Sequence, residues 1–528
     1  MLSYAKGPER PLLEFTIGEA LRRTAAEFPD RPALVSRHQR QRYSWRELDQ
    51  AVDDWAAGLS AMGLTPGDRV GVWSTSCAEW VLLQLACARA GLVLVNVNPA
   101  YRSYELGYVL NRSRMKTIFL WEQDAHANYA NILAECNAPV QRMLFGIDKL
   151  PAGTKFVEAA GAGQVVNIQY TSGTTGSPKG VLLTHRNILN NGWLVAGQMR
   201  LTAQDVICVP VPLYHCFGCV MGVLAAVTTG AALVLPNWSF DARATLEAVE
   251  AEGATALYGV PTMFIAELSH PGFPGFQLRS LRTGIMAGAP CPIEVMRRVV
   301  EQMHCGEITI AYGQTEASPV ITMSGADDPI EIRVSTVGVA LANTEVKIVA
   351  PETGVTVERG QQGELCARGY TIMQGYDNDP AATAKTIDEE GWLHTGDLAV
   401  MREDGNCKIT GRAKDMIIRG GENIYPREVE EFLYTHPKIA DVQVVGLPDA
   451  RLGETVCAWV RLHAGAELTE AELRQWCRGR ISHFKVPQYI RMVEEFPMTV
   501  TGKIQKYKIR EKEVRLRDLG GAAGIETA

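Results

Sequence analysis

Tyr170-Thr171-Ser172-Gly173-Thr174-Thr175-Gly176-Ser177-Pro178-Lys179-Gly180 stands between the runs Val165-Val166-Asn167-Ile168 and Val181-Leu182-Leu183. Nothing in it can fill a core. Glycine tolerates positive φ and close backbone approach, so such a segment can fold tightly and turn N–H groups and hydroxyls toward an anion. Lys179 adds a cation, and a phosphate group is the guest that suits this chemistry. A generic Gly/Ser run reads as a flexible surface loop; the fixed order of hydroxyls, glycines and lysine speaks against that here.

A nucleoside-triphosphatase P-loop needs Gly-x4-Gly-Lys-Ser/Thr opening a helix. Counting from Gly173 reaches Pro178, Lys179 is followed by Gly180, and a strand-like run comes next. The P-loop reading therefore fails. The stretch instead resembles the phosphate loop of the adenylate-forming superfamily, which includes acyl-CoA synthetases, peptide-synthetase adenylation domains and luciferase-type enzymes.

At 528 residues, 46% of them hydrophobic, the chain is long enough for several cores and is expected to split into domains. Its 52 basic and 59 acidic residues give a net charge of -7, which argues against a general nucleic-acid binder. The run Lys503 to Arg517 is basic against that average and reads as a solvated helix face, or as an attractor if a polyphosphate lies near. Twelve cysteines without paired spacing suggest a reducing cytosol rather than a disulfide framework. The lone pair Cys216-Phe217-Gly218-Cys219 has no second pair to complete a zinc site, so both thiols are expected to be buried.

Met1 to Phe15 carries Lys6, Glu9 and Arg10 and lacks the apolar centre of a signal peptide. Val206 to Phe240 contains no acidic residue, lysine or arginine, and Phe217 to Pro236 is about as long as a membrane span. Gly218, Gly222, Gly230 and Pro236 divide it into a buried helix and a strand at Ala231 to Leu235. No integral membrane span is expected.

Thr16 to Glu19 and Ser44 to Glu47 have capping-box spacing ahead of amphipathic helical stretches, and Gly63 marks the end of the second. Short apolar runs such as Arg69 to Trp73, Leu92 to Val97 and Lys116 to Leu120 alternate with helical segments, and the alternation resumes at Val206, Thr255 and Ile308. This pattern predicts an α/β fold of stacked βα units around mostly parallel sheet. Residues 137 to 163 read as a connecting arm. Beyond Gly338, Gly-punctuated strands such as Glu345 to Val349 and Gly363 to Ala367 suggest a small distorted barrel. After the polar junction Gly411-Arg412-Ala413-Lys414-Asp415 comes a compact α+β unit: helix 427–434, strands 442–446 and 455–462, helix 469–481. The expected domains are 1–413, binding AMP and acyl group, and 414–528, smaller and mobile, hinged at Lys414.

Gly288-Ala289-Pro290 and Tyr312-Gly313-Gln314-Thr315-Glu316 follow apolar runs at strand ends, where open α/β sheets bind ligands. Tyr312 offers a ring for adenine, Thr315 a hydroxyl for the α-phosphate, and Glu316 a carboxylate for Mg²⁺. The Tyr-Gly-Gln-Thr-Glu sequence resembles the superfamily's second signature, and Trp392-Leu393-His394-Thr395-Gly396-Asp397 resembles its ribose signature, with Arg412 as a second anchor. Pro497-Met498-Thr499-Val500-Thr501-Gly502-Lys503 resembles the motif of the catalytic lysine. Pro212-Leu213-Tyr214-His215 places an imidazole where the family borders the acyl carboxylate. The resemblance runs from Phe15 to Arg510, and Pro212 to Gly222 with Asp415 to Pro426 resembles the branch of the mitochondrial medium-chain acyl-CoA synthetases.

That resemblance implies ATP-dependent activation of a carboxylic acid to an acyl-adenylate, then transfer to coenzyme A with release of AMP and pyrophosphate. Thr171, Ser172, Gly173, Thr174, Thr175, Gly176 and Lys179 would hold phosphate; Gly288, Ala289, Pro290, Tyr312, Gly313, Asp397 and Arg412 the nucleoside. Lys503, Thr315, Glu316 and His215 are the expected catalytic residues. Gly421 would line a pantetheine tunnel, and Phe217, Gly218, Gly222, Val223, Val260, Met263 and Gly284 the acyl pocket, with the two helix glycines leaving room for a medium-length chain. The expected partners are small molecules in the cytoplasm; a homodimer is left open. An amino-acid adenylation domain is the nearest alternative, but no acid lies between Val206 and Phe240 and no carrier domain follows Ala528. An adenylate-binding sensor is the other, against which Lys503 counts.

Overall fold

The computed structural model describes residues 1–124, 127–171, 178–289, 291, 293–412, 415–419, 422–449, 451–478, 480–498 and 504–519, with the side chains of residues 412, 422 and 423 outside that description. Among these residues the strands form four sheets. In the nine-stranded sheet, Pro32–Ser36, Ala232–Leu235, Val206–Cys208, Ala256–Gly259, Thr283–Ala287 and Glu307–Gly313 run parallel, with antiparallel strands added at both edges. In the seven-stranded sheet, Val165–Thr171, Val93–Val97, Arg69–Trp73, Thr117–Leu120 and Gln141–Leu144 are parallel. The α/β class expected from the alternation is the class found.

Strands such as Val93–Val97 are buried throughout, as parallel strands covered on both faces must be. Helix Ala78–Arg89 is apolar nearly all round, and all its residues but Glu79 are buried. A helix that hydrophobic is stable only with packing on every side. Its last residue, Arg89, is buried with its guanidinium on Asp49, on Asp53 Oδ1 at 2.7 Å and on the Gly18 carbonyl at 3.2 Å. Helices Ile17–Glu27 and Trp45–Ala61 are thereby pinned to the third; Thr16 and Ser44 cap them as their spacing predicts.

Two segments differ from the sequence reading. The arm at 137–163 contains Gln141–Leu144, an added parallel edge strand, which four residues of mixed polarity do not announce. Tyr4–Lys6, near the amino terminus, pairs antiparallel with Thr344–Val349 and begins the five-stranded, curled sheet that continues through Gln362–Gly369, Leu393–Met401 and Cys407–Arg412. The fourth sheet is built from residues 417–492, with helix Pro426–Tyr434 where the sequence places it and helix Glu470–Cys477 starting as expected but ending four residues before Ile481. It also contains the short hairpin Ile417–Arg419 and Glu422–Ile424 and the parallel strand Tyr489–Met492.

The uncharged stretch 206–240 becomes strand Val206–Cys208, helical residues Phe217–Leu224 and Ala225–Thr229, and strand Ala232–Leu235. Among the described residues, no helix is long and apolar enough to cross a membrane. Phe217–Leu224 is a π-helix, its hydrogen bonds running i→i+5, a rare geometry that is frequent at functional sites. The basic run near the carboxyl end forms helix Lys506–Leu516, and Lys506, Arg510 and Arg517 pair with Glu430, Glu454 and Glu513. Much of its charge is neutralised within the unit.

Glu267 is fully buried in helix Pro261–Leu268, and neither carboxylate oxygen has a hydrogen-bond partner among the described residues. Burial pushes this carboxyl well above the usual range, so the folded state keeps its proton when the unfolded chain has lost it. The folded state then binds more protons, and stability falls as pH rises above the unfolded value, about 4.5. Glu267→Met should stabilise the protein by about 1–3 kcal/mol at pH 8, with a smaller gain at pH 4. Thermal or urea unfolding at the two pH values checks this; an equal effect at both would contradict it.

Candidate active site

Val165–Thr171 and Lys179–Thr184 pair antiparallel, Tyr170 opposite Gly180 and Thr171 opposite Lys179. The strands that enter and leave the phosphate-type stretch thus form a β-hairpin, and a strand, not a helix, follows it. Ser172, Gly173, Thr174, Thr175 and Gly176 lie outside the described residues, as do Pro290, Lys414, Gly421 and Lys503. The hairpin is closed on its far side by Gly375–Tyr376, which pairs with Val181 and Leu182. Asp377 then donates its N–H to the Gly180 carbonyl at 2.7 Å and holds Arg69 through both carboxylate oxygens at 2.7 and 2.8 Å.

That closure brings two candidate motifs together. Lys179 Nζ lies 5.0 Å from the centre of the Tyr376 ring, a cation–π distance, and Tyr376 Oη donates to Glu316 Oε1 at 2.9 Å. The Met373 N–H bonds the Glu316 carbonyl at 2.9 Å, so both backbone and side chain of Glu316 are held. Burial, with Glu316 beside it, raises the Tyr376 phenol and keeps it a donor. Tyr376 carries no signal in the sequence, because its role depends on a strand pairing nearly two hundred residues away from Lys179.

Strands Thr283–Ala287 and Glu307–Gly313 end side by side, Ala287 opposite Ala311. Gly288 follows at φ +87, a left-handed backbone that suits glycine, and with Ala289 it is exposed at the strand ends. At Gly313 a Cβ would lie 1.8 Å from the Pro319 carbonyl oxygen, so no other residue fits. Tyr312 Oη donates to Asp397 Oδ2 at 2.7 Å, joining the second signature to the ribose signature. Asp397 is buried, and its strand pairs it with Arg412.

Thr315 is buried, and its hydroxyl lies against the Cys216 thiol. His215, half-buried beside that cysteine, accepts the Phe217 N–H on Nδ1 at 3.3 Å. Beneath them runs a buried amide network. Asn167 Nδ2 donates to Asn96 Oδ1 at 2.9 Å, Gln169 Nε2 to Asn167 Oδ1 at 2.8 Å, and Cys216 Sγ to Gln169 Oε1 at 2.9 Å. Asn96 Nδ2 also donates to the Tyr214 carbonyl at 3.2 Å, and Gln84 Nε2 to that of Cys219 at 3.1 Å. Cys216 and Cys219 are buried, as expected from the sequence. Burial raises both thiols, Cys219 to about 12.

The glycines expected at the acyl pocket are closely packed on the side where a side chain would stand. A Cβ on Gly218 would lie 2.4 Å from the Pro212 carbonyl oxygen, one on Gly222 3.1 Å from the Val209 methyls, and one on Gly284 2.0 Å from the Leu257 carbonyl oxygen. In that one direction neighbouring backbone and the Val209 side chain leave no room for a Cβ, so these glycines allow close packing. Phe217, Val223, Val260 and Met263 are buried, with the Phe217 ring stacked on Tyr258 at 5.8 Å between centroids. A cavity of ≈ 500 Å³ near Trp55, Phe119 and Phe145 includes none of the candidate site residues.

Comparison with known proteins gives the family. Residues 21–377 match the model of the AMP-binding enzyme family, and residues 428–503 that of the AMP-binding enzyme C-terminal domain. YngI of Bacillus subtilis (strain 168) is 48% identical over 97% of this chain and 99% of its own. The mitochondrial medium-chain acyl-CoA ligase ACSF2 of Mus musculus is 42% identical over 97% of this chain and 90% of that protein. ATP-bound MatB from Rhodopseudomonas palustris superimposes with a TM-score of 0.85 at 29% identity, covering 94% of this chain and 99% of MatB. The anthranilate CoA ligase AuaEII in complex with anthranoyl-AMP gives 0.86 at 25% identity, covering 95% and 98%. Family models over both parts of the chain and relatives above 40% identity along nearly its whole length lead to one conclusion: this chain belongs to the AMP-binding enzyme family, among the acyl-CoA synthetases.

Proposed function

We propose that the protein converts a medium-chain fatty acid to its acyl-CoA in two steps: attack of the carboxylate on the α-phosphorus of ATP, expelling pyrophosphate, then attack of the CoA thiol on the acyl carbonyl, expelling AMP. The observation that carries this reading is the run of contacts from Lys179 through Tyr376 to Glu316 and from Tyr312 to Asp397, which joins three signatures around one strand-end crevice. Bringing an anion to a polyphosphate is largely an electrostatic problem, and fixed donors lower it because they need no reorganisation. Lys179, Thr171 and the loop hydroxyls would take the β- and γ-phosphates, Thr315 the α-phosphate, and Asp397 with Arg412 the ribose. Lys503 would meet the charge that develops between acid and α-phosphate, and His215 would border the acid.

Glu316 suits a hard divalent cation: its carboxylate is half-buried at the crevice, with one oxygen oriented by Tyr376. Mg²⁺ bound there would neutralise phosphate charge. For the second step we infer rotation of the carboxyl-terminal unit about Lys414, which would withdraw Lys503 and bring Gly421 to the thiol's path. The buried aliphatic and aromatic residues Phe217, Val223, Val260 and Met263 support an apolar acyl group, and the ACSF2 relatives support medium length. A cytoplasmic setting is supported by cysteines that are all unpaired thiols.

Pyrophosphate release measured over a panel of acids, with and without CoA, tests the reading. Each added CH₂ is worth roughly 0.8 kcal/mol, so kcat/KM should rise about fourfold per methylene up to medium length and then fall. A maximum at acetate or at benzoate would refute the medium-chain assignment and leave the adenylate chemistry standing.

Lys503→Ala should reduce adenylation by about a hundredfold or more while sparing thioester formation from supplied acyl-adenylate. Equal loss in both half-reactions would contradict the two-conformation scheme. Tyr376→Phe removes one hydrogen bond to a charged carboxylate, worth about 1.5–3 kcal/mol, so ATP-dependent kcat/KM should fall at least tenfold. Steady-state kinetics at varied Mg²⁺ should show a weaker apparent affinity for the cation.

A further inference from the structure

Strand Leu393–Met401 departs from its partner Gln362–Gly369 at one place, and there the ribose anchor emerges. Cys366 pairs with His394 and Glu364 with Leu398, so Leu365 alone faces Thr395, Gly396 and Asp397. A bulge of this kind breaks the ladder and leaves backbone groups to be satisfied in another way. Gly396 adopts φ +71, the left-handed region that only glycine enters cheaply. Its N–H is accepted by Glu364 Oε1 at 2.9 Å, a carboxylate standing in for the missing strand carbonyl. Thr395 Oγ1 donates to the Leu365 carbonyl at 2.7 Å and accepts the Asp397 N–H at 3.1 Å.

The second oxygen of Glu364 is held as firmly. Oε2 lies 2.8 Å from His394 Nδ1, and Nε2 of the same ring lies 3.6 Å from Asp388 Oδ2. The Cys366 thiol is 3.5 Å from Nδ1, so glutamate, cysteine and histidine donor atoms lie within 4.8 Å of one another. Two ligands of a tetrahedral zinc at about 2.0–2.1 Å would stand about 3.3 Å apart. The 2.8 Å between oxygen and nitrogen is instead the length of a charge-assisted hydrogen bond.

We propose that Glu364, oriented by His394, is a positioning residue for nucleotide selection: it holds the Thr395-Gly396-Asp397 bulge in the one shape that presents Asp397 to the ribose hydroxyls. Glu364 itself touches no substrate. The inference rests on the reading of Asp397 as the ribose anchor. Without Glu364 the Gly396 N–H loses its acceptor and the bulge relaxes toward regular pairing, which turns Asp397 away from the sugar. The loss then belongs to the ribose contact and not to the reaction as a whole.

The test is a matched comparison of ATP with 2′-deoxy-ATP in the full-length enzyme, read as the ratio of their kcat/KM values in the acid-dependent reaction. A hydrogen bond between a hydroxyl and a carboxylate is worth about tenfold or more in such a ratio, and the unaltered enzyme should show that preference. Asp397→Ala should bring the ratio close to one. Glu364→Ala should do nearly the same, its loss appearing chiefly as a higher KM for ATP. Glu364→Gln, which keeps an acceptor for Gly396, should restore most of the preference. His394→Gln, a second variant for use if Glu364→Ala fails to fold, should lower the ratio about threefold by releasing Oε2. If Asp397→Ala abolishes the preference while the Glu364 and His394 variants weaken both nucleotides equally, the positioning role is overturned. If Asp397→Ala itself leaves the preference intact, the ribose reading fails, and the positioning role with it.

Discussion

A ladder of buried amides underlies the site. Asn96, Asn167 and Gln169 sit on adjacent strands with their side chains on one face, and each satisfies the next. Buried amides left unpaired cost about 1–3 kcal/mol each, so this network tolerates little change in relative position. Its last member accepts the Cys216 thiol, and its first donates to the Tyr214 carbonyl. The strand that enters the phosphate-type hairpin and the turn that opens the apolar helix are therefore registered against each other. Under the proposed function, phosphate chemistry and acyl binding would share one foundation.

Above that foundation the site is assembled from elements that are distant in the chain. Tyr376 reaches Glu316 from the edge strand, Tyr312 reaches Asp397 across two sheets, and Arg69 holds Asp377 where the hairpin closes. Each of these is a charged or hydroxylated side chain with a fixed partner, so a nucleotide bound as proposed would meet donors already oriented. Preorganisation of this kind puts binding energy into the reaction, where mobile side chains would spend it on ordering. The glycines have a related role. Gly218, Gly284 and Gly313 sit where a Cβ would strike neighbouring backbone, so backbone packs directly on backbone there.

Much of this was legible in the sequence because short-range physics writes it there. Alternating apolar runs and helical stretches specify a parallel sheet; Thr16 and Ser44 announce helix starts; the order of hydroxyls, glycines and lysine at 171–180 excludes the P-loop and points to phosphate. The burial of the two cysteines at 216 and 219 followed from their having no partner pair. What could not be read were roles conferred by distant neighbours. Gln141–Leu144 becomes a strand only because an unpaired sheet edge is waiting for it, and Tyr4–Lys6 for the same reason. The close packing of Gly222 on the Val209 methyls was likewise invisible in the sequence.

The sequence by itself determined the fold class, the family and the residue types of the chemistry, since periodicity, capping and motif order are local properties of the chain. Tertiary structure alone decided which groups meet: that Tyr376 orients Glu316, that the Tyr312 hydroxyl ends on Asp397, and that Glu364 and His394 brace the bulge at Gly396. The reason is physical. A hydrogen bond is directional over about 3 Å, and strand pairings formed across hundreds of residues are what bring its two ends that close.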